Sequence, residues 1–192
     1  LYVTGGTGIS CCRVVDGQPY RGARGATGTF ASTPLLRLPP DEPPAPTLPS
    51  ASPLPLPRPE ERTLEDLASG PGLAARHRER GGASTSGHAV LAALASGDRA
   101  AEAVVREGAH ALGHAVGGLV NVLDPEGVIL GGGLGLVSGP FHDQLVASLR
   151  RAIWWPGHRD LPVAKAATGV DAGWVGAAVA AWRSSTNLRR ES

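Results

Sequence analysis

Apolar positions recur at helical spacing over residues 99–123, where Val105, Leu112, Val116, Leu119 and Leu123 fall on one stripe. The pattern predicts a long amphipathic helix, stopped by Asp124-Pro125. Val128-Ile129-Leu130 then reads as a short buried strand running into Gly131-Gly132-Gly133. A helix over 140–155, a strand over 161–167 and a small-residue helix over 173–183 follow. This alternation predicts an α/β lobe with helices packed on a sheet.

The first 20 residues read as two strands around a glycine turn, Thr4-Gly5-Gly6-Thr7-Gly8. Asp16-Gly17 is a hairpin turn, since both residue types tolerate positive φ. Thr63 can cap a helix from Leu64, Ser69-Gly70-Pro71 interrupts it, and a short helix continues over 72–80. Ser84-Thr85-Ser86 offers caps for a helix over 88–96 that stops at Gly97. Between these parts, proline fills 11 of the 26 positions 34–59. Proline lacks an amide donor and fixes φ, so neither helix nor central strand persists there. That stretch reads as an irregular, polyproline-like insertion, tolerated as a loop, with a ligand for a proline-binding module as the rival reading. The chain thus divides into a strand-rich part (1–33), the insertion (34–59) and a helix-rich lobe (60–192).

Composition narrows the function classes. The 192 residues carry 18 Lys plus Arg against 17 Asp plus Glu, which leaves no concentrated basic arm for nucleic acid and no acidic tail. No apolar run is long enough to span a membrane. Only Cys11 and Cys12 are present, so a disulfide framework and a cysteine-built zinc site are both excluded. The chain has no Met and opens at Leu1 on an apolar run, and we read it as lacking its N-terminal part.

The candidate chemistry lies in the two glycine clusters. Backbone amides without side chains approach phosphate oxygens closely, and threonine hydroxyls add donors. Gly131-Gly132-Gly133 ends a strand, where α/β folds place ligands. Two such clusters point to a nucleotide cleft, although neither is a Walker loop. His110 and His114 at i, i+4, with Glu107 nearby, have a chelating spacing but lie off the apolar stripe, which favours a solvated or interface face over a metal site. Adjacent Cys11 and Cys12 read as buried, unreactive thiols rather than nucleophiles. Trp154-Trp155 read as a cap of their helix against the core, with stacking on a sugar or base as the alternative. Asp124 and Asp171 read as helix-end residues, each with a possible approach to the cleft.

Several segments together resemble the ROK family (repressors, open reading frames and sugar kinases). Leu1 to Gly28 resembles its phosphate-binding hairpin, and Leu64 to Pro71 its L-E-x-x-A-S-G-P helix. Leu119 to Gly133 resembles its adenosine motif, and the stretch from Leu161 to Ala178 its final strand and helix. The resemblance covers most of the chain outside about 31–60. It implies the C-terminal lobe of an actin-like ATPase (ribonuclease H-like) fold, present here as a partial fold. It implies ATP with Mg as cofactor, with Gly6, Thr7 and Gly8 on the phosphates and Gly131, Gly132 and Gly133 against the adenosine. Glu65 would hydrogen-bond a sugar substrate. A cytoplasmic location and a homodimer also follow from the resemblance.

The departures from the family pattern shape the expectation. The family's Asp-Gly-Thr loop and its catalytic Asp do not occur in this chain, so no catalytic residue is assigned and the chain alone is expected to be inactive without its missing lobe. Thr29 and Ser32 stand where the family has Glu and His. The proline-rich stretch replaces a cysteine-rich motif, so no structural zinc is expected. The first reading is a fragment of an ATP-dependent sugar kinase. Its rivals are the sugar-sensing domain of a ROK repressor, which would meet nucleic acid only through a lost helix-turn-helix, and a degenerate non-catalytic relative.

Overall fold

The structure, a computed structural model, describes residues 1–32 and 62–188. The proline-rich stretch 34–59 lies outside the described residues. In chain order the elements are β1 (Tyr2–Gly5), β2 (Ile9–Cys12), β3 (Val14–Val15), β4 (Gln18–Pro19), α1 (Leu64–Ala68), α2 (Gly70–Glu79), α3 (Gly87–Ala95), α4 (Arg99–Leu123), β5 (Val128–Gly131), α5 (Gly132–Gly135), α6 (Pro140–Ala152), β6 (Val163–Lys165) and α7 (Ala172–Leu188). A four-stranded mixed sheet has the order β2-β1-β5-β6, with β1, β5 and β6 parallel and β2 antiparallel at one edge. β3 and β4 form a separate small hairpin around Asp16-Gly17.

The long helix spans the predicted residues. Asp98 caps its start by accepting from the Ala100 and Ala101 amides, and Asp124 ends it at φ 45°. Its buried face drifts from the expected stripe: Val104, Val105, Leu112, Val116 and Val120 are buried, while Leu119 and Leu123 are half-buried. Glycines let α6 lie against α4. A Cβ at Gly113 would sit 2.2 Å from the Leu145 carbonyl oxygen, and one at Gly117 would sit 2.6 Å from that of Leu149. Phe141, Leu145, Leu149 and Ile153 join α4 in the core, and Val3, Ile9, Val128 and Leu130 bring in the sheet. Alternation along β5 turns Ile129 to the outside, so this strand is not buried on both faces.

Three details differ from the sequence expectation. α6 stops at Ala152, and Ile153 takes the buried position beyond it. Asn121 holds that corner, donating to the Ala152 carbonyl and accepting from the Trp154 amide. The tryptophans therefore swing outward, Trp154 being 82 % exposed, and do not cap the core. α7 turns Trp174, Val175 and Val179 to solvent. Among the described residues no helix is long and apolar enough to cross a membrane.

Candidate functional site

The two glycine corners meet because β1 and β5 are parallel neighbours. Thr4 pairs with Gly131, so both chains leave the sheet side by side. The first corner closes through the Gly6 amide donating to the Gly8 carbonyl at 3.0 Å. The second turns at Gly132, whose φ of 75° favours glycine. A Cβ there would lie 2.6 Å from the Gly5 carbonyl oxygen, and one on Gly6 would lie 3.4 Å from the Gly133 nitrogen. Gly131 has a different job. A Cβ on it would meet the Tyr2 hydroxyl at 2.1 Å, so it packs under that side chain and lines neither cavity described below.

Three helices bring the walls. Thr63 and Asp66 form a reciprocal capping box at the start of α1. The Thr63 amide and hydroxyl hold the Asp66 carboxyl below the usual carboxylate range. One turn carries Glu65, whose Oε1 accepts from the Ile9 amide at 3.0 Å. Gly8 leaves room for it: a Cβ there would be 2.7 Å from that oxygen. Ser69 closes α1 and, through its hydroxyl, caps α2. The Gly70 amide donates to the Gly6 carbonyl at 2.7 Å, and Gly87 at the start of α3 rests on Gly70.

Two cavities result, sharing Gly6, Thr7 and Gly133. The first, about 300 Å³, is walled by Gly70-Pro71, Thr85 to His88 and Leu134 besides the shared residues. It offers bare backbone, hydroxyls and the starts of two helices, a setting that suits an anion. The second, about 560 Å³, presents the hydroxyls of Thr4, Thr7, Ser10, Thr29 and Ser32 and the carboxylate of Glu65, with Gly8 and Gly132 in its wall. That donor and acceptor set suits a polyhydroxylated ligand. Thr29 and Ser32 are placed by Gly28, whose carbonyl accepts from the Cys11 amide at 3.0 Å, and by buried Ala31 between them.

Of the residues singled out in the sequence, Gly6, Thr7, Gly8, Gly132, Gly133 and Glu65 come together here, and Gly131 does not. Glu107 is engaged by Arg76 and Arg80, while His110 Nδ1 is 3.0 Å from the Ser148 hydroxyl, so the three do not assemble as one ligand set. No group of three or more His, Cys, Asp or Glu side chains placed to hold a metal occurs among the described residues. Cys11 is half-buried, and burial pushes its thiol up. Asp124 lies in a separate hollow near the far end of β5, 3.3 Å from His158, and Asp171 ends a short 3₁₀ turn. Sequence reasoning treated Thr85 to His88 only as a helix start. Gly87, a glycine just after a capping serine, was the available signal that another backbone approaches.

A model of the ROK family matches residues 1–184. The bifunctional enzyme NanE/NanK of Brucella melitensis is 32% identical over 180 residues, covering 93% of this chain and 30% of that protein. The crystal structure of a ROK hexokinase from Thermus thermophilus superposes with a TM-score of 0.73 at 29% identity, covering 93% of this chain and 55% of that one. A ROK family glucokinase from Streptomyces griseus, solved with glucose and AMPPNP, shares the fold with a TM-score of 0.68 at 23% identity, covering 92% and 58%. The chain thus spans a little over half of these two solved kinases and under a third of the Brucella enzyme.

Proposed function

The chain belongs to the ROK family, and from that premise we propose that it forms the nucleotide- and sugar-holding part of an ATP-dependent sugar kinase. One observation carries the reading: the anion-suited cavity and the hydroxyl-lined cavity meet at Gly6, Thr7 and Gly133. Phosphoryl transfer depends on positioning more than on covalent chemistry by the protein. A nucleotide in the first cavity has its terminal phosphate at the junction, facing a sugar in the second. The bare backbone at Gly6, Gly70 and Gly133 fits a phosphate chain at close range. The bound nucleotide, ATP with Mg, supplies the transferable phosphoryl group.

Glu65 accepts hydrogen bonds from the sugar hydroxyls, while its other engagement, with Ile9, fixes its orientation. Thr29 and Ser32 add neutral partners where the family places a carboxylate and an imidazole. None of the described residues is assigned as the general base that takes the sugar proton.

The test is ATP consumption by the full-length protein across a panel of hexoses and N-acetylhexosamines, with calorimetric titration of ADP. Transfer to at least one sugar, with ADP binding, is the expected result. No turnover with any sugar and no ADP binding would defeat the reading.

A further inference from the structure

Among the described residues, the first cavity is lined by one ionisable side chain, His88. Its wall from the β1–β2 turn is Gly6 and Thr7, from α2 Gly70 and Pro71, and from α5 Gly133 and Leu134. Thr85 and Ser86 lead into α3, which supplies Gly87 and His88 and has no other charged or titratable residue along its length. The charged groups of α2 are engaged elsewhere, Arg78 with the Ala74 carbonyl and Glu79 with Arg62. Arg76 and Arg80 hold Glu107, and His77 lies on Asp98. Glu102 and Arg106 of α4 border a separate small cavity at the far end of α3, beside Leu94. Glu65 belongs to the second cavity.

His88 is exposed, and its side chain has no hydrogen-bond partner among the described residues. The Cε1–Nε2 edge of its ring faces Gly133: a Cβ there would lie 3.5 Å from Cε1 and 3.9 Å from Nε2. The imidazole edge is therefore turned toward the junction of the cavities.

We propose that His88 is a phosphate-contacting residue of the nucleotide cavity, giving nucleotide affinity a pH dependence that the backbone-built remainder of the wall does not supply. The inference rests on the kinase reading above. Every other donor on this wall is neutral, and imidazole alone changes charge near neutrality. An anion beside Nε2 favours the protonated ring, so binding takes up a proton. Linkage then fixes the sign: affinity rises as pH falls through the imidazole range and the gain is lost above it.

The experiment is ADP calorimetry on the full-length protein and on His88→Gln at about pH 6 and about pH 8. The ionisation of ADP itself is common to both proteins, so the difference between their slopes isolates the side chain. The wild type is expected to bind ADP roughly tenfold tighter at the lower pH than the variant's own trend, with the two proteins alike at the higher pH. A second readout, the histidine ring NMR titration of the wild type, moves its midpoint upward with ADP and stays put with adenosine. Equal slopes in both proteins, or a midpoint unmoved by ADP, overturns the proposal while leaving the kinase reading intact. Wild type that binds no ADP at either pH removes the kinase reading and this one with it.

Discussion

The two cavities rest on the same three residues but are finished in opposite ways. The first is walled almost wholly by backbone, proline and hydroxyls, with His88 its only ionisable group among the described residues. The second is a ring of hydroxyls around the Glu65 carboxylate. The difference teaches how one glycine junction can border two unlike walls, one of backbone and hydroxyls and one of hydroxyls and a carboxylate. On the kinase reading proposed above, main-chain amides would meet the phosphates and side chains the sugar.

Gly132→Ala should erase the distinction by damaging both cavities. The new Cβ would meet the Gly5 carbonyl oxygen at a positive φ, at a stability cost on the order of 2–3 kcal/mol. Urea unfolding with paired ADP and sugar titrations should show both affinities lost. Glu65→Gln should separate the cavities. Losing a charged acceptor is worth about 1.5–3 kcal/mol in sugar affinity, with ADP binding unchanged within about twofold, read by titration with each ligand. Thr29→Ala and Ser32→Ala should weaken the sugar side more gently, by about 1 kcal/mol each, measured the same way.

The smallest effect belongs to Thr63→Ala, which loosens the helix carrying Glu65. Loss of this cap should cost about 1 kcal/mol of stability at neutral pH. The Asp66 carboxyl is depressed in the folded state by Thr63. Its contribution is therefore present above the ordinary carboxylate range and fades as pH falls through the folded value. The stability gap between wild type and variant should narrow below about pH 4 without closing, seen in acid-limb unfolding curves. The bond the Thr63 hydroxyl accepts from the Asp66 amide does not titrate and keeps the remainder.

Local signals in the sequence located much of this arrangement. The 3.6-residue period and the Asp124-Pro125 stop mark α4 in the sequence, because periodicity and a neighbouring proline are local, while the Asp98 cap shows only in the structure. Thr63 marks α1 by its cap, whereas Ser69 reads in the sequence as a break and in the structure caps α2 from Gly70. What stayed hidden depends on partners far along the chain. Gly131 looks like its two neighbours until Tyr2 is laid over it, 129 positions away in sequence. Glu107 seems to belong with His110 on helical spacing, yet arginines from α2 take it. Trp154 and Trp155 continue an apolar helical run, and only the Asn121 brace shows that the helix has already ended.

Ser69 is both the last residue of one helix turn and the cap of the next. It is thus the hinge pin between Glu65 on one arm and Gly70 on the other. The Ile9 amide anchors the first arm and the Gly6 carbonyl the second. One serine thus ties a wall of each cavity to the β1–β2 turn, so the spacing of the two hollows is set by a single short piece of chain.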